Sequence, residues 1–445
     1  ETHVFRTDVM LGENLKSYVQ TVANYKKRSL YKNICDYVYG DVRDRVFILY
    51  GLRRTGKTTL IRQVIAEMNE EDFSKTAFIQ VSAGIGLSDI NQDLKYLMND
   101  EYKYVFIDEV TLIEDFIEGA ALFSDIFAAC GMKIVLSGTD SLGFFFSEDE
   151  QLYDRCIFLH TTFIPYREFE EVLGIKGIDE YICYGGTMSL GGVHYNEKST
   201  FASKKSVDEY VDSAIAKNIQ HSLKCYQYGG HFRALYDLYE KGELTSAINR
   251  VVEDVNHRFT LDVLTKDFMS HDLGISARNL RNDRQNQNDI LDRIDKEEFT
   301  KRLKNLLEIR NKEEQIVTIS EDHRREIKEY LDALDLTVDI DIQTLPVGRE
   351  KSYKTVFTQP GMRYSQAKEL VQSLLEDEEF QELSIDERNA VIERILSDIK
   401  GRMMEDIVLL ETKIANPKKQ VFQLQFAVGE FDMVVADNAN ATCEI

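Results

Sequence analysis

The chain has 445 residues, 54 basic against 77 acidic, and a formal net charge of −23. That length exceeds what one hydrophobic core usually supports, and the acidic field repels nucleic acid, so any DNA contact requires a local basic surface. The composition, 43% hydrophobic and 29% charged with 4 prolines, is globular rather than low-complexity, and no apolar stretch is long and uncharged enough to cross a bilayer.

The first 45 residues read as a helical leader. Leu15, Val19 and Val22 share one helical face, and the basic cluster Lys26-Lys27-Arg28 follows. From Val46 the pattern changes to short apolar runs separated by helical stretches. Strands are expected at Val46 to Tyr50, Ala77 to Val81, Tyr104 to Asp108, Lys133 to Ser137 and Cys156 to His160. Leu60, Ile61, Val64, Ile65 and Met68 recur at helical spacing between the first two. Continuous apolar strands alternating with helices predict an α/β fold with a parallel sheet covered on both faces.

Beyond Tyr181 the chain turns helical and polar, with amphipathic helices over 206–315 and a glycine break at Gly229-Gly230. A helix at Glu326 to Leu336, strands at Val338 to Gln343 and Ser352 to Phe357, and a turn at Pro346-Val347-Gly348 suggest a winged helix. Such a module binds DNA or packs as a protein adaptor, and Asp335, Asp339 and Asp341 favour the adaptor. Residues 364–400 are expected to be helical, followed by a helix from Arg402 to Ile414 and strands at Val421 to Phe426 and Phe431 to Val435.

One segment carries specific chemistry. Gly51-Leu52-Arg53-Arg54-Thr55-Gly56-Lys57-Thr58 satisfies G-x-x-x-x-G-K-[ST], with an apolar strand before it and an amphipathic helix after it. Glycines at both ends let successive N–H groups face phosphate oxygens, and the helix adds its positive N-terminal dipole. In this P-loop reading Lys57 reaches the β- and γ-phosphates, the Thr58 hydroxyl ligates Mg²⁺, and Thr59 lines the α-phosphate. Arg54 and Thr55 belong to the same loop and complete the expected cradle; Arg53 and Arg54 read equally well as solvated cations.

The strand Tyr104 to Asp108 ends in two acids. Neighbouring strand residues point different ways, so the pair suits two roles. Asp108 is the expected magnesium partner, and Glu109 the group that polarises the attacking water. The strand Lys133 to Ser137 ends in Ser137-Gly138-Thr139-Asp140-Ser141. Ser137 is the candidate γ-phosphate sensor there, with Thr139 or Asp140 as alternatives. Arg155, just before the next strand, is a candidate to complete the site in cis or from a neighbouring subunit of a homo-oligomer, and an ordinary ion-pair partner otherwise.

These residues together resemble a family of prokaryotic AAA-like ATPases close to the STAND nucleotide switches. In that family the P-loop domain is followed by helices, a winged helix and a restriction-nuclease-like C-terminal domain. The matching pieces are Gly51 to Leu60, Val105 to Glu109, Leu136-Ser137-Gly138-Thr139 and Tyr153-Asp154-Arg155. Further on come Pro165-Tyr166-Arg167-Glu168-Phe169 and Tyr184-Gly185-Gly186-Thr187-Met188. Downstream are Gln359-Pro360-Gly361-Met362-Arg363 and Gly429 to Val435. The resemblance implies ATP rather than GTP, in keeping with the lack of an N-K-x-D motif. It further implies a DNA or protein partner through the winged helix and tail.

For the tail it implies a helix glutamate, a strand aspartate and an E-x-K on the next strand, which together hold a metal for phosphodiester cleavage. Glu405 and Asp432 occupy the first two places. The third is expected after Cys443-Glu444-Ile445, where this sequence stops; Glu411-Thr412-Lys413 has the pattern but lies on a helix. The expected organisation is a helical leader (1–45), an AAA-like P-loop ATPase domain (46–225) and a helical region (226–315). A winged-helix-like module (316–360) and a helical connector with a partial α+β nuclease-like tail (361–445) follow.

The six cysteines form no C-x-x-C pair and the eight histidines no metal-ligand spacing, so neither a zinc site nor a disulfide framework is indicated. No apolar signal-peptide core stands at the N-terminus. A cytoplasmic protein is therefore expected.

Overall fold

The computed structural model describes residues 3–113, 115–139, 154–174, 176–186, 204–217, 219–220, 223, 232–268, 295–313, 318–346 and 352–445. Strands β2 (Val46–Tyr50), β3 (Thr76–Gln80), β4 (Tyr104–Asp108), β5 (Lys133–Gly138) and β6 (Cys156–His160) form a parallel sheet in the order β3-β4-β5-β2-β6. The strands fall where the apolar runs predicted them. An edge strand was not foreseen. β1 (Asp8–Met10) pairs antiparallel with β3, so the sheet is mixed and the leader is part of it. Its carboxylate anchor is the buried Asp93, which accepts bonds from the Arg6 and Thr7 backbone and from Thr7 Oγ1 at 2.7 to 3.1 Å.

Alternation along each strand divides the apolar side chains between two cores. Phe47, Leu49, Phe78, Phe106 and Val135 pack with helices α1 (Gly12–Gln20), α2 (Tyr31–Val38) and α3 (Lys57–Ala66). Ile48, Ile79, Ile107 and Leu136 pack on the other face with α4 (Leu87–Asn99) and the turns between β4 and β5. Burial on both faces is why these strands are apolar at every position.

Helix α5 (Tyr166–Leu173) follows the sheet. The later chain builds α6 (Leu244–Asp262), α7 (Glu321–Ala333), α8 (Pro360–Leu375) and α9 (Ile385–Ala415). Two helix boundaries differ from expectation. α7 starts at Glu321 because Ser320 caps it, its side chain accepting from the His323 N–H. α9 runs unbroken through Gly401. Ser384 and Glu387 form a capping box at its start, and Val391, Ile395, Ile399, Met403 and Ile407 continue one buried stripe past the glycine. Packing of that stripe outweighs the roughly 1 kcal/mol cost of an interior glycine. The Gly229-Gly230 break lies outside the described residues.

The hairpin β7 (Thr337–Leu345) and β8 (Ser352–Phe357), read from sequence as a wing, is not set apart from the tail. β7 pairs parallel with β9 (Gln420–Phe426), which pairs antiparallel with β10 (Gly429–Asp437), itself edged by β11 (Thr442–Glu444). The result is one five-stranded sheet in the order β11-β10-β9-β7-β8. A boundary at residue 360 therefore cuts through a hydrogen-bonded sheet. Among the described residues no helix is long and apolar enough to cross a membrane.

Candidate active site

The parallel sheet brings the C-terminal ends of β4, β5, β2 and β6 side by side, and the expected chemistry collects on that edge. Tyr50 runs into Gly51, whose φ of 143° and close approach to Thr161 exclude any side chain; an added Cβ would collide with the Thr161 carbonyl oxygen. Thr161 N–H donates to Tyr50 O at 2.6 Å, and its hydroxyl lies 3.0 Å from Thr55 Oγ1. Gly56, at φ 88°, turns the loop into α3.

Lys57 is buried, and Nζ donates to the carbonyls of Gly51 at 2.9 Å and Leu52 at 2.7 Å. Burial pulls its ammonium down to about 8, against the opposing pull of Glu109 and Asp108. Thr58 Oγ1 donates to Asp108 Oδ2 at 2.6 Å, and Ser137 Oγ to the other carboxylate oxygen, Oδ1. Glu109 sits at φ 60°, its N–H donating to Asp108 Oδ1 at 3.1 Å and its Oε2 accepting from Thr139 Oγ1 at 3.3 Å. Burial, helped by the Asp108 charge, pushes the Glu109 carboxyl above its ordinary range. Thr59 is half-buried on the first turn of α3.

Both hydroxyls of the β5 end thus hold acids of the β4 end. Asp140 lies outside the described residues. The Thr58 hydroxyl and the Asp108 carboxylate supply hard oxygen donors at one point, a set that suits Mg²⁺.

The two loop arginines diverge. Arg53 is exposed and acts electrostatically on Lys57 and Glu109. Arg54, also exposed, lies over the Tyr210 ring at 5.6 Å, and Tyr210 OH accepts from Gln359 Nε2 at 2.8 Å. Leu52 is buried among downstream residues including Tyr210, Leu336 and Phe357. His160 stacks on Tyr50 with ring centroids 4.6 Å apart, and its Nδ1 lies 3.1 Å from Asp335 Oδ2. Burial holds the imidazole down at about 4 and the Asp335 carboxyl up at about 6. At neutral pH the ring is therefore neutral, and the contact is a hydrogen bond rather than an ion pair.

Arg155 is not brought to this edge. The register pairs Val46 with Cys156, so Arg155 stands at the start of β6, a strand length from the loop that follows Tyr50. Its Nε lies 2.8 Å from Asp125 Oδ1.

Sequence reasoning passed over Arg28 and Glu168 as partners. Arg28 donates to both Glu168 oxygens at 2.8 and 3.1 Å and, through Nη1, to the Thr55 carbonyl at 2.7 Å. The only signals were a basic cluster in the leader and a glutamate within a family motif, and neither names the other. In the tail, Glu405 accepts from Arg402 at 3.0 Å while Asp432 is exposed on β10. No three His, Cys, Asp or Glu side chains gather as a cation site among the described residues.

Residues 43–170 match the family model of an AAA domain. The match runs from just before β2 into α5 and includes the whole loop and both acids. No curated protein matches the chain. Similar solved structures include PCH-2 of C. elegans, at 20% identity, 35% coverage of this chain, 44% of that chain and TM-score 0.21. Another is S. cerevisiae Hsp104 in its complex with casein, at 10% identity, coverages of 54% and 51%, and TM-score 0.30. A third is the Aeropyrum pernix ORC1 protein in complex with DNA, at 12% identity, coverages of 80% and 92%, and TM-score 0.25. The chain spans about half or less of the length of the first two.

Proposed function

We propose that this chain binds ATP with Mg²⁺ at Gly51 to Thr58 and hydrolyses it. The observation that carries the reading is the convergence of Lys57, Thr58, Asp108 and Ser137 beside a Glu109 whose carboxyl is raised by burial. The AAA-domain match over the same segment supports it.

The chain's own groups divide the work. Loop N–H groups and Lys57 hold the phosphates. Thr58 and Asp108 would hold the metal, which when bound neutralises charge on the phosphoryl oxygens. Glu109 orients the attacking water and takes its proton, and its raised pKa brings it closer to the working pH of a general base. Ser137 and Thr139 keep the two carboxylates apart and aimed. Arg155 is assigned no part in this chain's own site, because it stands at the start of β6 beside Asp125.

Nucleotide state is proposed to move the later helices. Arg54 lies over Tyr210, His160 meets Asp335, and Leu52 shares a core with Leu336 and Phe357, so displacement of the loop reaches residues that pack on α7 and β8. The same contacts suit a slowly turning switch. ATP turnover by wild type and Glu109→Gln, with binding measured alongside, tests both readings. We expect retained ATP binding and a fall in turnover of about 10²–10⁴-fold in the variant. Tight binding with no turnover by either protein would overturn the enzyme reading in favour of the switch.

A further inference from the structure

The sheet face beneath α9 changes character along its strands. At one end Ile340, Val356 and Val421 close a dry core with Leu409 and Leu410 of α9. The register carries the same face on to Ser352, Lys354, Gln423 and Gln425, because alternate residues share a side. There the sheet, α6, α7 and α9 wall a cavity of about 810 Å³, within the range of small-molecule sites.

Among the described residues its lining holds eight basic and five acidic side chains, in a chain of net charge −23. Most of the cations are spoken for. Lys354 and Arg363 lie 2.7 and 2.9 Å from the buried Asp406, and Arg324 lies 2.5 Å from Asp254. Arg258 on α6 and Lys266, about two turns further on, have no acidic partner among the described residues. Gln423 is only 3% exposed, yet its amide Nε2 has no hydrogen-bond partner among the described residues. A buried amide without a partner costs about 1–3 kcal/mol, which packing alone does not explain.

We propose that this cavity is a second ligand site, separate from the Gly51–Thr58 loop, for a phosphorylated nucleotide unit. Arg258 and Lys266 meet the phosphate, and the Gln423 amide meets a carbonyl or ring nitrogen of the base. A free nucleotide and the end of a nucleic-acid strand share this chemistry. The site stands independently of ATP hydrolysis.

The test uses the full chain carrying Lys57→Ala, which removes the loop's main phosphate contact. Thymidine 5′-monophosphate, ADP and 5′-phosphorylated hexathymidylate are titrated calorimetrically at two salt concentrations. At least one probe is expected to bind, more weakly at higher salt. The added pair Arg258→Glu and Lys266→Glu should weaken it by about tenfold or more, equivalent to about 1.4 kcal/mol. Both side chains are exposed, so an unchanged melting curve checks the fold, and Gln423→Leu gives a second, uncharged perturbation. Binding of the hexamer alone supports a strand end, and equal binding of mononucleotide and hexamer a free nucleotide. No binding by any probe, or binding of thymidine 5′-monophosphate or the hexamer that survives charge reversal, overturns the proposal. ADP binding that survives it is residual binding at the Gly51–Thr58 loop and overturns the proposal if no other probe binds.

Discussion

Glu168→Leu strands a buried guanidinium. The Arg28 side chain is 3% exposed and that of Glu168 10%, with two bonds between them and a third from Arg28 to the Thr55 carbonyl. Removing one partner of a buried pair costs about 3–5 kcal/mol, because the charge that remains has neither water nor counter-ion. At roughly 2–4 °C per kcal/mol for a domain of this size, the melting point should fall by about 6–20 °C. The double variant Arg28→Met with Glu168→Leu removes both charges and should regain at least half of that loss.

Nucleotide affinity should not recover with stability. Arg28 also fixes the Thr55 carbonyl, one residue before Gly56, and a hydrogen bond to a charged donor is worth about 1.5–3 kcal/mol. The double variant should therefore bind ATP about tenfold or more weakly while melting near the wild type. Scanning calorimetry and isothermal titration read the two effects separately. Wild-type affinity in the double variant would show Arg28 to be a structural ion pair only. A loss below about 1 kcal/mol for Glu168→Leu, the range of a surface pair, would refute the desolvation argument itself.

Three further outcomes follow from the same geometry. Gly51→Ala should cost about 1–3 kcal/mol and weaken ATP binding, since φ 143° and the Thr161 carbonyl leave no place for a Cβ; an unchanged Tm would contradict this. Lys57 titrates at about 8 in the free protein, so ATP affinity should fall as pH rises above that value, while Lys57→Ala should lose this alkaline limb in binding curves from pH 6.5 to 9.5. Asp335 rises from 3.8 when unfolded to about 6 when folded, so stability falls as pH climbs through that window and the penalty is complete above it. Asp335→Asn should thus gain up to about 3 kcal/mol over wild type at pH 8 and little at pH 4; equal denaturation midpoints at pH 8 would refute it.

Local chemistry was legible in the sequence wherever it is local in the chain. Five apolar runs named five strands because strands covered on both faces need apolar residues at every position. The loop was readable from Gly51, Gly56, Lys57 and Thr58, since backbone wrapping and a helix start depend on consecutive residues. Asp108 and Glu109 were visible as acids at a strand end.

What the tertiary structure decided were relations between distant segments. Strand order put Ser137 against Asp108 and Thr139 against Glu109. The parallel register of β2 and β6 put Arg155 at the opposite end of the strands from the loop, beside Asp125. Arg28 found Glu168 across 140 positions, and β7 found β9 in a sheet that joins the expected wing to the tail. No periodicity records such pairs, because a side chain's own neighbours in sequence do not say which other strand or helix will pack against it.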